Sequence, residues 1–119
     1  APFGIAKAAE FNVTSSRDYK KEIEDYTGNA TELINGTKVR SYYLNEDVSG
    51  VDPKRIGLIV QEAPLEILSL IGGDSIDSYE MSSLLWKGVQ ELSTELTNTK
   101  QELADLKALL VANGTIPAT

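Results

Sequence analysis

Cysteine and histidine are both missing from this sequence of 119 residues. Without cysteine the chain has no disulfides, no thiolate metal ligands and no thiol nucleophile, and without histidine it lacks the commonest general base and the commonest metal ligand. A Ser-His-Asp catalytic triad is therefore impossible. We expect neither a metal ion nor a cofactor.

Basic residues are scarce as well, because 11 lysines and arginines stand against 18 aspartates and glutamates, which gives a net charge of −7. A chain of this charge is repelled by nucleic acid and by anionic membranes, so we expect neither as a partner. Long apolar runs are absent too, and residues 1–14 lack the basic start and apolar core of a signal peptide. Function classes that depend on nucleic acid or on a bilayer are therefore disfavoured.

The last third of the chain carries a regular apolar repeat, which we call the leucine seam. Its eight positions follow one another at intervals of 4, 3, 4, 3, 4, 3 and 4 residues, and seven of them are aliphatic. They are Leu85, Val89, Leu92, Leu96, Thr99, Leu103, Leu106 and Leu110. A repeat averaging about 3.5 residues predicts a helix that supercoils with partner helices.

Charged residues beside the seam favour parallel strands. Glu95 and Glu102 fall at g positions, and Lys100 and Lys107 fall at the following e positions, so each glutamate can meet a lysine of a neighbouring parallel chain. The number of strands stays open on residue types alone, because valine at a favours dimers while leucine at three a positions and Thr99 at d blur that preference. The alternative is that the seam packs on the chain's own domain.

Helical signals are spread over the rest of the chain. They predict a short helix after the serine pair at 15–16 that ends near position 28, one or two turns in 29–34, and a helix that begins at Pro64. Asp77 and Glu80 have the spacing of a capping box at the start of the long helix.

Strand signals lie between these helices. Segments 38–44 and 56–60 are rich in β-branched and other apolar residues, and together they predict a β-hairpin. Glu46, Asp47 and Asp52 lie in the connecting loop, but their spacing does not match a calcium-binding loop and indicates a solvated turn. The expected fold class is α+β, with a small head of short strands and helices carried on a long C-terminal coiled-coil helix.

Three segments of the sequence resemble one known family. Segment 15–23, Ser-Ser-Arg-Asp-Tyr-Lys-Lys-Glu-Ile, resembles the motif Ser-Asp-x-Arg-Leu-Lys-x-x-Ile that opens the C-terminal intramolecular chaperone domains of phage tailspikes, endosialidases and neck appendages. Segment 57–64, Gly-Leu-Ile-Val-Gln-Glu-Ala-Pro, is similar to that family's Gly-Leu-Ile-Ala-Gln-Glu-Val core. Tyr79, followed by 84–85 and 89–92, looks like its Tyr-x-x-Leu entry into a coil. The three blocks occur in the family's order.

This resemblance implies a parallel homotrimer that helps an upstream fibre of the same polypeptide to fold and then removes itself as a serine-lysine autoprotease. Residue by residue, it implies Ser15 as the nucleophile, Lys20 as the general base and Thr14-Ser15 as the scissile bond. The resemblance also implies a setting, with the chaperone acting in the host cytoplasm during phage assembly and the released fibre in the virion tail. Its partners are then two further copies of the chain and its own fibre.

The match to the motif has departures that bear on the nucleophile. The family's aspartate, second arginine and leucine are replaced by Ser16, Asp18 and Tyr19. Two serines therefore compete, and the five-residue interval to the lysine selects Ser15. Asp18 is a candidate supporting residue because of its proximity.

The chemistry of the pair sets geometric conditions. A serine hydroxyl is a poor nucleophile until a base removes its proton, and a lysine can serve as that base when burial lowers its pKa. Side chains five residues apart on an α-helix point about 140° apart, so Ser15 must lie in the bend before the helix, or Lys20 must come from another chain. The alternative is that Ser15 caps a helix with Asp18 and Lys20 is a surface charge, in which case the chain is a coiled-coil trimerisation cap that never cuts.

These expectations divide the chain into four segments: the end of the upstream fibre at 1–14, the chaperone and autoprotease head at 15–76, the trimerisation helix at 77–112 and a flexible tail at 113–119.

Overall fold

The computed structural model describes residues 13–118. The predicted fibre end therefore lies almost wholly outside the described residues, as does the last residue of the predicted tail. Two α-helices, α1 (Ala30–Asn35) and α2 (Ser78–Ala112), and two strands, β1 (Arg40–Tyr42) and β2 (Arg55–Gly57), form the regular structure. Single 3-10 turns occur at Arg17–Tyr19, Val60–Glu62 and Leu65–Ile67. These elements agree with the predicted α+β class.

Helix α2 dominates the molecule, since its 35 residues span about 50 Å. The side chain of its N-cap residue, Asp77, accepts a hydrogen bond of 2.8 Å from the backbone N–H of Glu80, as the spacing of these two residues predicts. The helix ends at Asn113, ahead of Gly114 with a positive φ of 75°. None of the helices within residues 13–118 combines the length and apolarity that a bilayer crossing requires.

The head packs on the N-terminal third of α2. Ala30, Ile67 and Leu84 form the buried core, which is small for a domain of this size. Gly88 is also buried, and a Cβ placed there would lie 2.6 Å from Cδ1 of Ile34. The close approach of α1 to α2 therefore depends on a residue without a side chain at position 88.

Glu91 supplies a polar link between the same two helices. Its two carboxylate oxygens accept hydrogen bonds of 2.8 Å from the backbone N–H groups of Ala30 and Thr31, at the first turn of α1. Such bonds satisfy donors that a helix start leaves without internal partners. They also lower the pKa of Glu91, with the bond from Thr31 as the largest cause and the bond from Ala30 as the next.

The predicted hairpin is confirmed, with shorter strands than the sequence indicates. β1 and β2 are antiparallel, with Arg40 opposite Gly57 and Tyr42 opposite Arg55. The segment predicted to continue the second strand to position 60 leaves the sheet after Gly57 and enters a 3-10 turn. Glu62 in that turn accepts two hydrogen bonds of 2.8 Å from the Arg40 guanidinium, which ties the turn to β1.

The helix predicted to follow the serine pair is wrong. Only the 3-10 turn Arg17–Tyr19 forms, and the chain is irregular from Lys20 to Asn29. Tyr19, Ile23 and Tyr26, which share a helical spacing, are 77%, 48% and 45% exposed. Packing against a core therefore does not stabilise a helix here, and a helix of this length is only marginally stable by itself. Glu22 also has a φ of 54°, which a helix excludes.

The helix predicted to begin at Pro64 is wrong for a related reason. Pro64 precedes one 3-10 turn, Leu65–Ile67, of which only Ile67 is buried. The backbone then folds back on itself, with the N–H of Ser69 donating to the carbonyl of Ser75 at 2.9 Å. Gly72 and Gly73 allow this reversal because both have positive φ angles, of 91° and 69°.

The leucine seam lies on the surface of the single chain. Leu85, Val89, Leu92, Leu96, Leu103 and Leu106 are between 47% and 65% exposed. The alternative in which the seam packs on the chain's own head is therefore wrong. The head instead covers the neighbouring positions Leu84 and Gly88.

Candidate active site

The first residues of the head form a tight turn directly after the predicted cleavage site. The side chain of Ser16 accepts a hydrogen bond of 3.1 Å from the backbone N–H of Asp18, and the N–H of Lys20 donates to the carbonyl of Arg17 at 3.0 Å. Ser16 is thus the residue that caps the turn. The alternative that gave this role to Ser15 is wrong, and the Ser15 hydroxyl remains available for another contact.

That contact is with Lys20. The Nζ atom of Lys20 donates a hydrogen bond of 2.6 Å to Oγ of Ser15 in the same chain. A 3-10 turn has three residues per turn instead of 3.6, and with the extended backbone at Lys20 it brings together two side chains that an α-helix would separate. Of the two placements left open by the sequence, the structure has Ser15 in the bend before the turn.

A third side chain reaches the same oxygen from far along the sequence. Oη of Tyr79 lies 2.6 Å from Oγ of Ser15, and 64 positions separate the two residues. Tyr79 is the second residue of α2, so the start of the long helix lies directly beside the predicted cleavage site. Sequence reasoning placed Tyr79 in a motif but not in the site, because nothing in its local pattern indicates which residue its hydroxyl contacts.

The site is open to water in the single chain. Ser15 is half-buried and Lys20 is exposed. The dry setting expected for a lysine base is therefore not formed by residues 13–118 of one chain alone. A serine hydroxyl between an amine and a phenol is nevertheless an arrangement suited to acyl transfer, since both neighbours can exchange or share protons with the nucleophilic oxygen.

Comparison with known protein families gives a match over this region. Residues 15–68, just under half of the chain, match a peptidase family described as the chaperone of endosialidase. Residues 15–68 are similar to this family. The endosialidase chaperone match begins at Ser15, and it includes two of the three motif blocks, while Tyr79 lies beyond its end. No curated protein and no solved structure matches the chain.

Similarity to the endosialidase chaperone family supports a chaperone role, and the family's classification as a peptidase suggests self-cleavage. Ser15 and Lys20 both lie inside the matched region. The predicted supporting residue Asp18 is exposed, and its backbone N–H is bound by Ser16.

Acidic residues elsewhere in the endosialidase chaperone domain have local roles. Oδ2 of Asp47 accepts from the N–H of Leu44 and Oδ2 of Asp52 accepts from the N–H of Val48, both at 2.6 Å. These carboxylates therefore bind the backbone of their own loop. Within the part of the chain that the structure describes, no cluster of three or more acidic residues is arranged to hold a metal ion.

Proposed function

We propose that this chain is an intramolecular chaperone that trimerises, assists the folding of an upstream phage tail spike or neck appendage fibre, and releases itself by cutting the Thr14-Ser15 bond. The observation that carries the proposal is the 2.6 Å contact between the Ser15 hydroxyl and the Lys20 amine. The family match that begins at Ser15 supports it. Assisted folding and cleavage take place in the host cytoplasm during phage assembly, and the released fibre enters the virion tail.

Cleavage begins with the Ser15 hydroxyl. Lys20 in its neutral form accepts the proton from Oγ, and Oγ attacks the carbonyl carbon of Thr14. The tetrahedral intermediate collapses with rupture of the bond between that carbon and the Ser15 nitrogen, which takes its proton from the Lys20 ammonium. The product of this step is an ester that joins the Thr14 carbonyl carbon to Oγ of Ser15, with Lys20 neutral again.

Water completes the reaction. It attacks the ester carbon while Lys20 accepts one of its protons, and the ester bond to Oγ then breaks as Lys20 returns that proton to Oγ. The products are a new carboxylate at Thr14 and a new amino terminus at Ser15, whose hydroxyl is restored. One water molecule is consumed and nothing is oxidised, so the chain needs no cofactor for this chemistry.

Trimerisation rests on the exposed seam. Burial of seven aliphatic side chains contributes about 1.5 kcal/mol or more for each, hence on the order of 10 kcal/mol per chain before entropy is subtracted. The core of three buried residues in the single chain provides little stability by comparison. Three chains, arranged in parallel, is the stoichiometry that the family resemblance implies.

Assembly then prepares the catalytic base. Lys20 is exposed in the single chain, and a charged amine in water is a weak base for a serine hydroxyl. Neighbouring chains that cover this region would remove water from the amine and favour its neutral form. Self-removal of the chaperone would in this way follow correct assembly of the fibre.

The decisive experiment uses the full chain with a folded fluorescent protein fused upstream. We expect electrophoresis and mass spectrometry to show a fragment that begins at Ser15, and Ser15→Ala or Lys20→Ala to abolish it. Lys21→Ala is the matched control, and it should still cleave because Lys21 is exposed and the hydrogen bond to Ser15 comes from Lys20. An intact fusion after prolonged incubation of the trimer would overturn the autoproteolytic part of the proposal.

A second candidate function is a trimerisation cap that never cuts. The observation in its favour is the exposure of Lys20, which leaves the amine in contact with water in the single chain. The same fusion separates the two, since a cap would leave the chain trimeric and uncut with the native sequence.

A further inference from the structure

Tyr79 belongs to neither the predicted dyad nor the matched part of the family, and yet its hydroxyl lies as close to the Ser15 oxygen as the Lys20 amine does. Both contacts are 2.6 Å. We propose that Tyr79 is a third catalytic residue of self-cleavage, and that through it the folding of the first turn of α2 controls the nucleophile. This inference rests on the function proposed above.

The chemical part of the argument follows from the number of hydrogen bonds that one hydroxyl can make. A serine hydroxyl donates one bond and accepts up to two. When Lys20 is neutral, Ser15 donates to its amine, and the phenol of Tyr79 can donate to a remaining lone pair of Oγ. As Oγ loses its proton, the bond from Tyr79 becomes a bond to a developing negative charge and therefore strengthens. The tyrosine keeps its proton throughout.

The structural part concerns what holds Tyr79 in place. It follows the N-cap Asp77, whose carboxylate binds the N–H of Glu80 at 2.8 Å. The N–H of Asp77 in turn donates to the carbonyl of Ile67 in the head at 2.8 Å. Tyr79 therefore reaches Ser15 only when the helix start has formed and is attached to the head.

The positions of these three residues in the sequence couple cleavage to folding. Ser15 and Lys20 are five residues apart and can meet by a local turn, whereas Tyr79 lies 64 positions after Ser15 and joins them only through the tertiary fold. A chain whose head and helix are unfolded still contains the dyad but lacks the third hydroxyl. Cleavage before folding is thereby slowed.

The first test is Tyr79→Phe in the fluorescent fusion, which removes the hydroxyl and keeps the ring. We expect cleavage between about tenfold and 100-fold slower, with an unchanged helix content by circular dichroism. The shape of the pH profile should stay the same, because Lys20 is still the base. Tyr43→Phe is the matched control, since the hydroxyl in contact with Ser15 is that of Tyr79, and the ring of Tyr43 lies under the amine of Lys54. An unchanged rate in a folded Tyr79→Phe chain overturns the proposal.

The second test examines the coupling through a double-mutant cycle. Asp77→Ala loosens the helix start and should slow cleavage several-fold in the native background. In the Tyr79→Phe background it should add little, because the contact through which it acts is already lost. Independent, multiplicative effects of the two changes would overturn the control of cleavage by the helix start.

A third measurement does not require cleavage. In chains that carry Lys20→Ala, carbon-13 labelling of the tyrosines should show the Cζ resonance of Tyr79 moving when Ser15→Ala is added, while that of Tyr43 stays in place. A Tyr79 resonance that does not move overturns the contact. If the native fusion is never cut but the resonance moves, the proposed autoproteolysis has failed while the contact inferred for Tyr79 stands without its catalytic role.

Discussion

The two ends of helix α2 differ in what covers them. Its first part, as far as Glu91, carries Leu84, Gly88 and Glu91, each of which contacts the head, and Tyr79, which contacts Ser15. Beyond Glu91 the helix has no contact with the head among the described elements, and it presents most of the leucine seam to solvent. One continuous helix thus has a part that the head covers and a part that stays exposed in the single chain, so folding of the head and the proposed assembly can be disturbed separately.

The largest effect is expected from a charge in the middle of the seam. Leu103→Asp would bury three carboxylates against one another in a trimer, and we expect association to weaken on the order of 1000-fold, given that an unpaired buried charge costs several kcal/mol. Sedimentation at micromolar concentration should then show single chains. Ala108→Asp, on the opposite side of the same helix, is the matched control and should remain assembled.

The same variant also tests whether assembly promotes cleavage. If neighbouring chains make Lys20 a better base, Leu103→Asp should slow the release of the upstream tag even though the mutated residue is far from Ser15. Normal cleavage by the dissociated variant would contradict that dependence.

A smaller effect is expected where α1 crosses α2. Gly88→Leu places a side chain where even a Cβ would lie 2.6 Å from Ile34, and we expect a loss of about 2 kcal/mol in the free energy of unfolding of the head. Urea denaturation followed by the fluorescence of Trp86 measures it. Thr94→Leu introduces the same side chain at an exposed position of α2 and should leave the midpoint nearly unchanged. Equal midpoints for the two variants would argue against close packing at Gly88.

The smallest of these effects concerns Glu91. Its pKa is lowered from the ordinary value of 4.5 by the N–H groups of α1, so its contribution to stability is present above that value and is lost as the pH falls through the lower value of the folded chain. Glu91→Gln should therefore lower the urea midpoint at neutral pH and reduce the loss of stability on acidification. Asp105→Asn is the control, because Asp105 accepts only from the neighbouring Gln101 on the same helix. A pH dependence that is the same in both variants would contradict this role.

Some parts of the fold were predictable because their signals are local. Short sequence patterns, each contained within one segment of the chain, predict the helix α2, its cap at Asp77 and the hairpin. The two helices predicted after Ser15 and after Pro64 failed for a common reason. Apolar spacing predicts a helix only if something buries the apolar face, and Tyr19, Ile23, Leu65 and Ile71 remain exposed in this chain.

The residues of the candidate site also divide into those that a local sequence pattern indicates and those that only the tertiary structure brings together. Ser15 and Lys20 were selected from a short motif, and their contact depends on one tight turn capped by Ser16. Tyr79 was not selected for the site, since a hydrogen bond across 64 residues has no local pattern. The roles of Gly88 and Glu91 were not predicted either. A glycine and a glutamate on a helix have such roles only because of the residues that pack against them, and the sequence does not show which residues these are.

The amino-acid sequence by itself determined the heptad helix, its caps, the hairpin, the resemblance to a family and the serine and lysine to examine, because each depends on spacing along the chain. Only the tertiary structure decided that the seam is exposed, that a turn replaces the first predicted helix, and that the start of α2 reaches the Ser15 hydroxyl. These features depend on distances through space, which are set by how the head packs on one end of a long helix.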